Sequence, residues 1–79
     1  MSSFKKAVVD AIKAVRNVFS DEDAEKYYDS NEQAIRYHLM VETESSETNV
    51  EQNVLDTDRG VLNLMMKLFI DGVNNESGQ

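Results

Sequence analysis

The apolar residues at the front of this chain recur at intervals of three and four, and that spacing restricts the fold more than any other feature. Phe4, Val8, Ala11, Ile12, Val15, Val18 and Phe19 fall on one side of a helix, while Lys6, Asp10, Lys13 and Asn17 take the opposite side. A helix over 4–19 divided so sharply must lay its apolar face on other parts of the same short chain. Seventy-nine residues without a cysteine leave room for one core held by packing alone, with no disulfide and no thiolate metal ligand. The expectation is a single domain over 1–73 followed by a disordered polar tail over 74–79, and the lack of cysteine favours a cytoplasmic setting. Asp10 and Lys13 interrupt the first apolar stretch before it could serve as the core of an export signal.

Ser20 followed by Asp21, Glu22 and Asp23 reads as an N-cap with a carboxylate-rich first turn, where the helix dipole favours negative charge. A short second helix to about Asp29 follows, burying Ala24, Tyr27 and Tyr28. Asp29, Ser30 and Asn31 form a turn-prone group, after which the period changes to two. Ile35, Tyr37, Leu39 and Val41 fall on one side, and Arg36, His38, Met40 and Glu42 on the other, which predicts a half-buried strand. The polar stretch 44–47 reads as a hairpin connection, with a weaker return strand over 48–55 that turns Val50 and Val54 inward but also Gln52.

The last element, 61–73, alternates as a strand would, yet Asn63, Lys67, Asp71 and Asn74 make one polar stripe at helical spacing. Its Leu, Met and Lys residues favour a helix, capped by Asp56, Thr57 or Asp58 and ended by Gly72 with Asn74 and Asn75. A third strand is the alternative. The predicted fold class is therefore α+β: helix, short helix, β-hairpin, helix, with a two-stranded antiparallel sheet packed on the helices.

Charge is partitioned along the chain. Lys5, Lys6, Lys13 and Arg16 meet only Asp10 in the first twenty residues. The segment 21–58 sets Asp21, Glu22, Asp23, Glu25, Asp29, Glu32, Glu42, Glu44, Glu47, Glu51, Asp56 and Asp58 against Lys26 and Arg36, and the whole chain carries a net −7. Such a field acts on partners more than on fold. It attracts cationic surfaces and repels nucleic acid and anionic membrane.

Asp21, Asp23, Glu25, Tyr27, Asp29 and Glu32 occupy positions 1, 3, 5, 7, 9 and 12 of a twelve-residue run, which resembles the calcium loop of an EF-hand. The resemblance implies calcium ligation, but position 6, where the sharp turn needs glycine, is Lys26. Without that turn the carboxylates do not converge, so no metal site is expected. His38 is the sole histidine and reads as a surface residue on the solvent side of its strand. Gly60, Gly72 and Gly78 stand too far apart for a phosphate-binding loop, and no apolar run reaches the ~20 residues that span a bilayer.

These features predict a small non-enzymatic binding protein without a cofactor. Its acidic surface, built from the twelve carboxylates of 21–58, is expected to engage a basic protein, above all the nucleic-acid-binding face of one, with no direct contact to nucleic acid or membrane. A protein that imitates DNA in this way would be an inhibitor or regulator of the kind phages deploy against host DNA-binding proteins. The alternative is a dimerisation or adaptor module. A helix over 61–73 has an apolar arc wider than one face requires, so Val61, Leu62, Met65, Met66 and Phe69 are the expected apolar interface for a homodimer or docked partner.

Overall fold

The computed structural model describes residues 1–17 and 20–77. These form four helices, α1 (Ser3–Arg16), α2 (Asp21–Thr43), α3 (Val50–Leu55) and α4 (Arg59–Ser77), and no strand occurs among the described residues. The expected α+β fold with its antiparallel hairpin is thus corrected to an all-helical domain. The reason lies in an ambiguity of spacing. Ile35 and Leu39 are four apart, which satisfies a period of two and a helical repeat equally. Both are fully buried, whereas Tyr37 and Val41, which a strand would align with them, stand in solvent. Val50 and Val54 repeat the pattern: both are buried, and Gln52 between them is exposed.

The first two helices begin at side-chain caps, the second at the predicted Ser20. Ser2 Oγ accepts from Lys5 N at 3.1 Å, and Ser20 Oγ accepts from Asp23 N at 3.2 Å, each satisfying a backbone donor that the first turn leaves open. The turn-prone group 29–31 proves to be a kink and not an end. Asn31 departs to φ −123°, ψ 15°, and its Nδ2 donates to the Tyr27 carbonyl at 2.9 Å, as a short polar side chain competing with the helix ladder does. α2 therefore runs past the predicted end at Asp29 to Thr43.

The other ends are set as locally. Asn17 closes α1 in the left-handed region, its N–H reaching the Lys13 carbonyl. Asp58 caps α4, its Oδ1 accepting from Gly60 N at 2.8 Å. Gly72 does not stop that helix, which continues to Ser77. The predicted tail 74–79 is thus helical as far as Ser77, and its last two positions, like Val18 and Phe19 of the predicted first helix, lie outside the described residues.

α1 is the central element, packed on α4, α2 and α3. It contributes Phe4, Val8, Val9, Ala11 and Ile12 to a core completed by Ala24, Tyr28, Ile35 and Leu39 of α2, Val50 and Val54 of α3, and Leu62, Met66, Phe69 and Ile70 of α4. Each large side chain buried in this way stabilises the fold by about 1.5–3 kcal/mol. α2 and α4 adjoin along a shorter seam than either makes with α1. That seam positions the surface described next.

Candidate partner-binding surface

Two cations of α1 reach across to α2. Lys5 pairs with Asp29 at 2.8 Å, and Lys13 pairs with Asp21. Eight residues forward along α1 correspond to eight back along α2, the register of an antiparallel helix pair. Lys5 also lies 5.5 Å from the Tyr28 ring centre. Its hydrogen bond to Asp29 raises the Lys5 pKa, and the hydrogen bond between Lys13 and Asp21 raises the one and lowers the other. Arg36, 5.0 Å from the Phe4 ring, ties α2 to α3 through Glu51 at 2.9 Å.

Most of the predicted acidic surface is occupied by such local roles. Asp21, Asp29 and Glu51 are paired as above, and Glu22 lies 3.7 Å from Lys26 on the same helix. Asp23 and Glu25 sit near the start of α2, Asp23 in its first turn, where the dipole favours it, and Glu25 where its charge acts on Lys5. Glu32 accepts from the Tyr28 hydroxyl at 3.5 Å, Asp56 from Gln52 at 2.9 Å, and Asp58 caps α4. The run from Asp21 to Glu32 that resembles a calcium loop is helical apart from the kink at Asn31, so its carboxylates are distributed around α2. No group of three or more ligating side chains converges among the described residues.

Glu42, Glu44 and Glu47 remain. All three are exposed, and no ion pair reaches them among the described residues. Glu47 lies in the turn before α3, and Glu42 and Glu44 stand at the C-terminal end of α2, which has no basic residue in its last turn. The helix dipole is negative there, so carboxylates add to it where a lysine or arginine would offset it by about 0.3–1 kcal/mol. Glu47 and Glu32 also line a shallow groove with Gln33, Arg36, Tyr37 and Met40, about 370 Å³ in volume.

The predicted apolar interface divides. Leu62, Met66 and Phe69 belong to the core, Met65 is half-buried against it, and Val61 is exposed. Leu64 and Leu68, absent from that prediction, are 57% and 51% exposed, with Val61 at 45%. Together they form an i, i+3, i+7 stripe on α4. On α2 the exposed apolar residues are Tyr37 at 69% and Val41 at 54%. Sequence reasoning missed this surface because it assigned Tyr37 and Val41 to the inner side of a strand.

His38, expected on the solvent side of that strand, is half-buried at the seam. A carbonyl oxygen can only accept, so His38 Nε2 donates to Met65 O at 2.8 Å, and the His38 and Phe69 rings meet edge to face at 5.5 Å. The one imidazole is thereby committed to helix packing. A larger cleft of about 510 Å³ lies elsewhere, between α1, α3 and α4, lined by residues that include Ala7, Ala11, Ala14, Asp10, Lys13 and Arg59. Among the described residues no helix is long and apolar enough to cross a membrane. In comparisons with known proteins the chain matches no family model, no curated protein and no solved structure.

Proposed function

We propose that this is a non-enzymatic binding protein that occupies the basic, nucleic-acid-binding face of another protein and so excludes DNA from it. The observation that carries the reading is the placement of Glu42 and Glu44, exposed and without an ion pair among the described residues at the end of α2 where the dipole already concentrates negative potential, with Glu47 exposed in the turn that follows. No ion pair within the domain engages their carboxylates among the described residues, while Lys5, Lys6 and Lys13 of α1 are held in ion pairs. A cationic groove that receives phosphates presents lysine and arginine at spacings that carboxylates on a folded surface also satisfy, through Coulomb attraction and shape.

The test is capture of heparin-binding lysate proteins on the immobilised chain, followed by challenge with duplex DNA. Retained protein is expected to elute with DNA and with rising salt, and retention to disappear for the triple variant Glu42→Lys, Glu44→Lys, Glu47→Lys. Capture that DNA does not reverse, or a gel shift of DNA by the purified chain itself, would refute the proposal. The exposed stripe on α4 favours a second reading, an adaptor that docks through apolar contact, for which retention would survive high salt.

A further inference from the structure

We infer that the outer side of the α2–α4 seam is a docking site for a cationic amphipathic helix, an inference that rests on the basic partner proposed above and specifies its contact element. The seam is fixed by His38 on α2 and by Met65 and Phe69 on α4. Turning outward from the core at about 100° per residue, α2 presents His38, then Val41, then Tyr37. α4 likewise presents Met65, then Val61, Leu68 and Leu64. The exposed apolar residues of both helices therefore follow the seam on its outer side, at i, i+4 on one helix and i, i+3, i+7 on the other. These are the spacings with which helical surfaces receive a third helix.

Charge identifies the occupant. Val41 is followed by Glu42 and, at the cap of α2, Glu44, while Tyr37 also borders the groove on the α3 side of α2 that holds Glu32, Glu47 and Arg36. The apolar strip thus runs toward Glu42, Glu44 and Glu47, carboxylates that no ion pair reaches among the described residues. A second copy of the chain would bring another net −7 toward the first, whereas a helix with leucines on one side and lysines or arginines beside them cancels that charge as it covers the strip. Its apolar side fits Val41, Leu64 and Leu68, and its cations fit Glu42, Glu44 and Glu47.

The probe is a synthetic peptide of about 18 residues, five helical turns, with leucine at i, i+3, i+4, i+7 spacing and lysine elsewhere. A scrambled peptide of the same composition and a glutamate counterpart serve as comparisons, with binding read by calorimetry and by backbone amide shifts. The patterned cationic peptide is expected to bind at least ten-fold tighter than either comparison, with shifts confined to the seam. Leu64→Ser with Leu68→Ser should weaken it ten-fold or more at all salt concentrations. Glu42→Gln, Glu44→Gln and Glu47→Gln together should weaken it at ~0.1 M salt and much less at ~1 M, as the Debye length falls from ~10 to ~3 Å. These are surface positions, and the amide spectrum reports whether each variant is folded.

Equal binding of the scrambled peptide overturns the apolar contact, and equal binding of the glutamate peptide overturns the charge match. A dimer in sedimentation that Leu64→Ser and Leu68→Ser dissolve assigns the strip to a second copy and also overturns the inference. If the peptide fails while DNA-reversible capture persists, only this docking geometry is lost. If the peptide binds while capture is insensitive to DNA, the proposed function falls and the docking site stands.

Discussion

His38 Nε2 donates to the carbonyl oxygen of Met65 at 2.8 Å, joining the C-terminal half of α2 to the N-terminal half of α4 where the two helices otherwise adjoin only briefly. The same ring meets Phe69 edge to face. A net hydrogen bond and an aromatic contact each contribute about 0.5–1.5 kcal/mol, so His38→Ala is expected to lose about 1–2 kcal/mol in urea denaturation. His38→Phe keeps the ring contact and should recover roughly half of that. An alanine variant as stable as the wild type would show that the seam does not depend on the imidazole.

The helical period of 32–42 has a mutational signature. Ile35 and Leu39 are fully buried, and Tyr37 and Val41 are not. Ile35→Ala and Leu39→Ala are each expected to lose about 2–5 kcal/mol, enough to unfold a domain of this size in mild urea, with Ile35→Val as a gentler probe at about 0.5–1.5 kcal/mol. Tyr37→Ala and Val41→Ala should stay within about 0.5 kcal/mol of the wild type. A half-buried strand would make all four alanine variants costly, so equal losses would contradict the all-helical fold.

The amphipathic first helix, the cap at Ser20 and the helical last element could be read from local signals, because spacing and capping chemistry are local. The middle could not. Ile35 with Leu39 and Val50 with Val54 fit two periods at once, and what decides between them is whether 37, 41 and 52 face a neighbour, a tertiary fact. The strong helix formers in 32–42 (glutamate, glutamine, alanine, arginine, leucine and methionine) point the right way, but an apparent alternation outweighs them in a sequence reading. Surplus acid in 21–58 was equally legible. Which acids are engaged was not, since the pairing of Lys5 with Asp29 and Lys13 with Asp21 depends on α1 and α2 lying antiparallel. The width of the apolar arc on α4 announced exposed residues, yet Leu64 and Leu68 are named only once α1 claims Leu62, Met66 and Phe69.

The Lys13–Asp21 pair gives the domain a pH signature on the acid side. The hydrogen bond and charge of Lys13 lower the Asp21 pKa from its ordinary 3.8. A depressed carboxyl pKa contributes stability that is fully present above the unfolded value and is lost as pH falls through the folded one. Lys13 is raised above its ordinary 10.5 by the same bond, so its share is present below that value and lost as pH rises through the folded pKa. The stability difference between the wild type and Lys13→Met should therefore hold steady across neutral pH and close below about pH 4. Added salt should shrink it at pH 7, since both groups are solvent-exposed. Thermal melts of the two proteins across pH check this, and a gap that widens on acidification would contradict it.

Glu44 should trade stability for binding. It caps α2 at φ 54°, ψ 44°, one of two non-glycine residues with positive φ among the described residues, the other being Asn17. Asparagine tolerates that region, whereas a longer side chain there costs about 1–2 kcal/mol. Its carboxylate also lies against the negative end of the dipole, a further ~0.3–1 kcal/mol. Glu44→Gln relieves only the second effect, Glu44→Asn the second and part of the first, and Glu44→Gly both. The expected order of stability is Gly, then Asn, then Gln, then Glu, with the glycine variant gaining about 1–2 kcal/mol. For a domain this small each kcal/mol moves the melting temperature by roughly 4–8 °C. The same Glu44→Gly should weaken binding of the cationic amphipathic peptide several-fold at ~0.1 M salt, because one of three uncompensated charges beside the apolar strip is gone. A glycine variant no more stable than the wild type would show that the cap is not strained. One that is stabilised but binds undiminished would leave the cationic contact to Glu42 and Glu47.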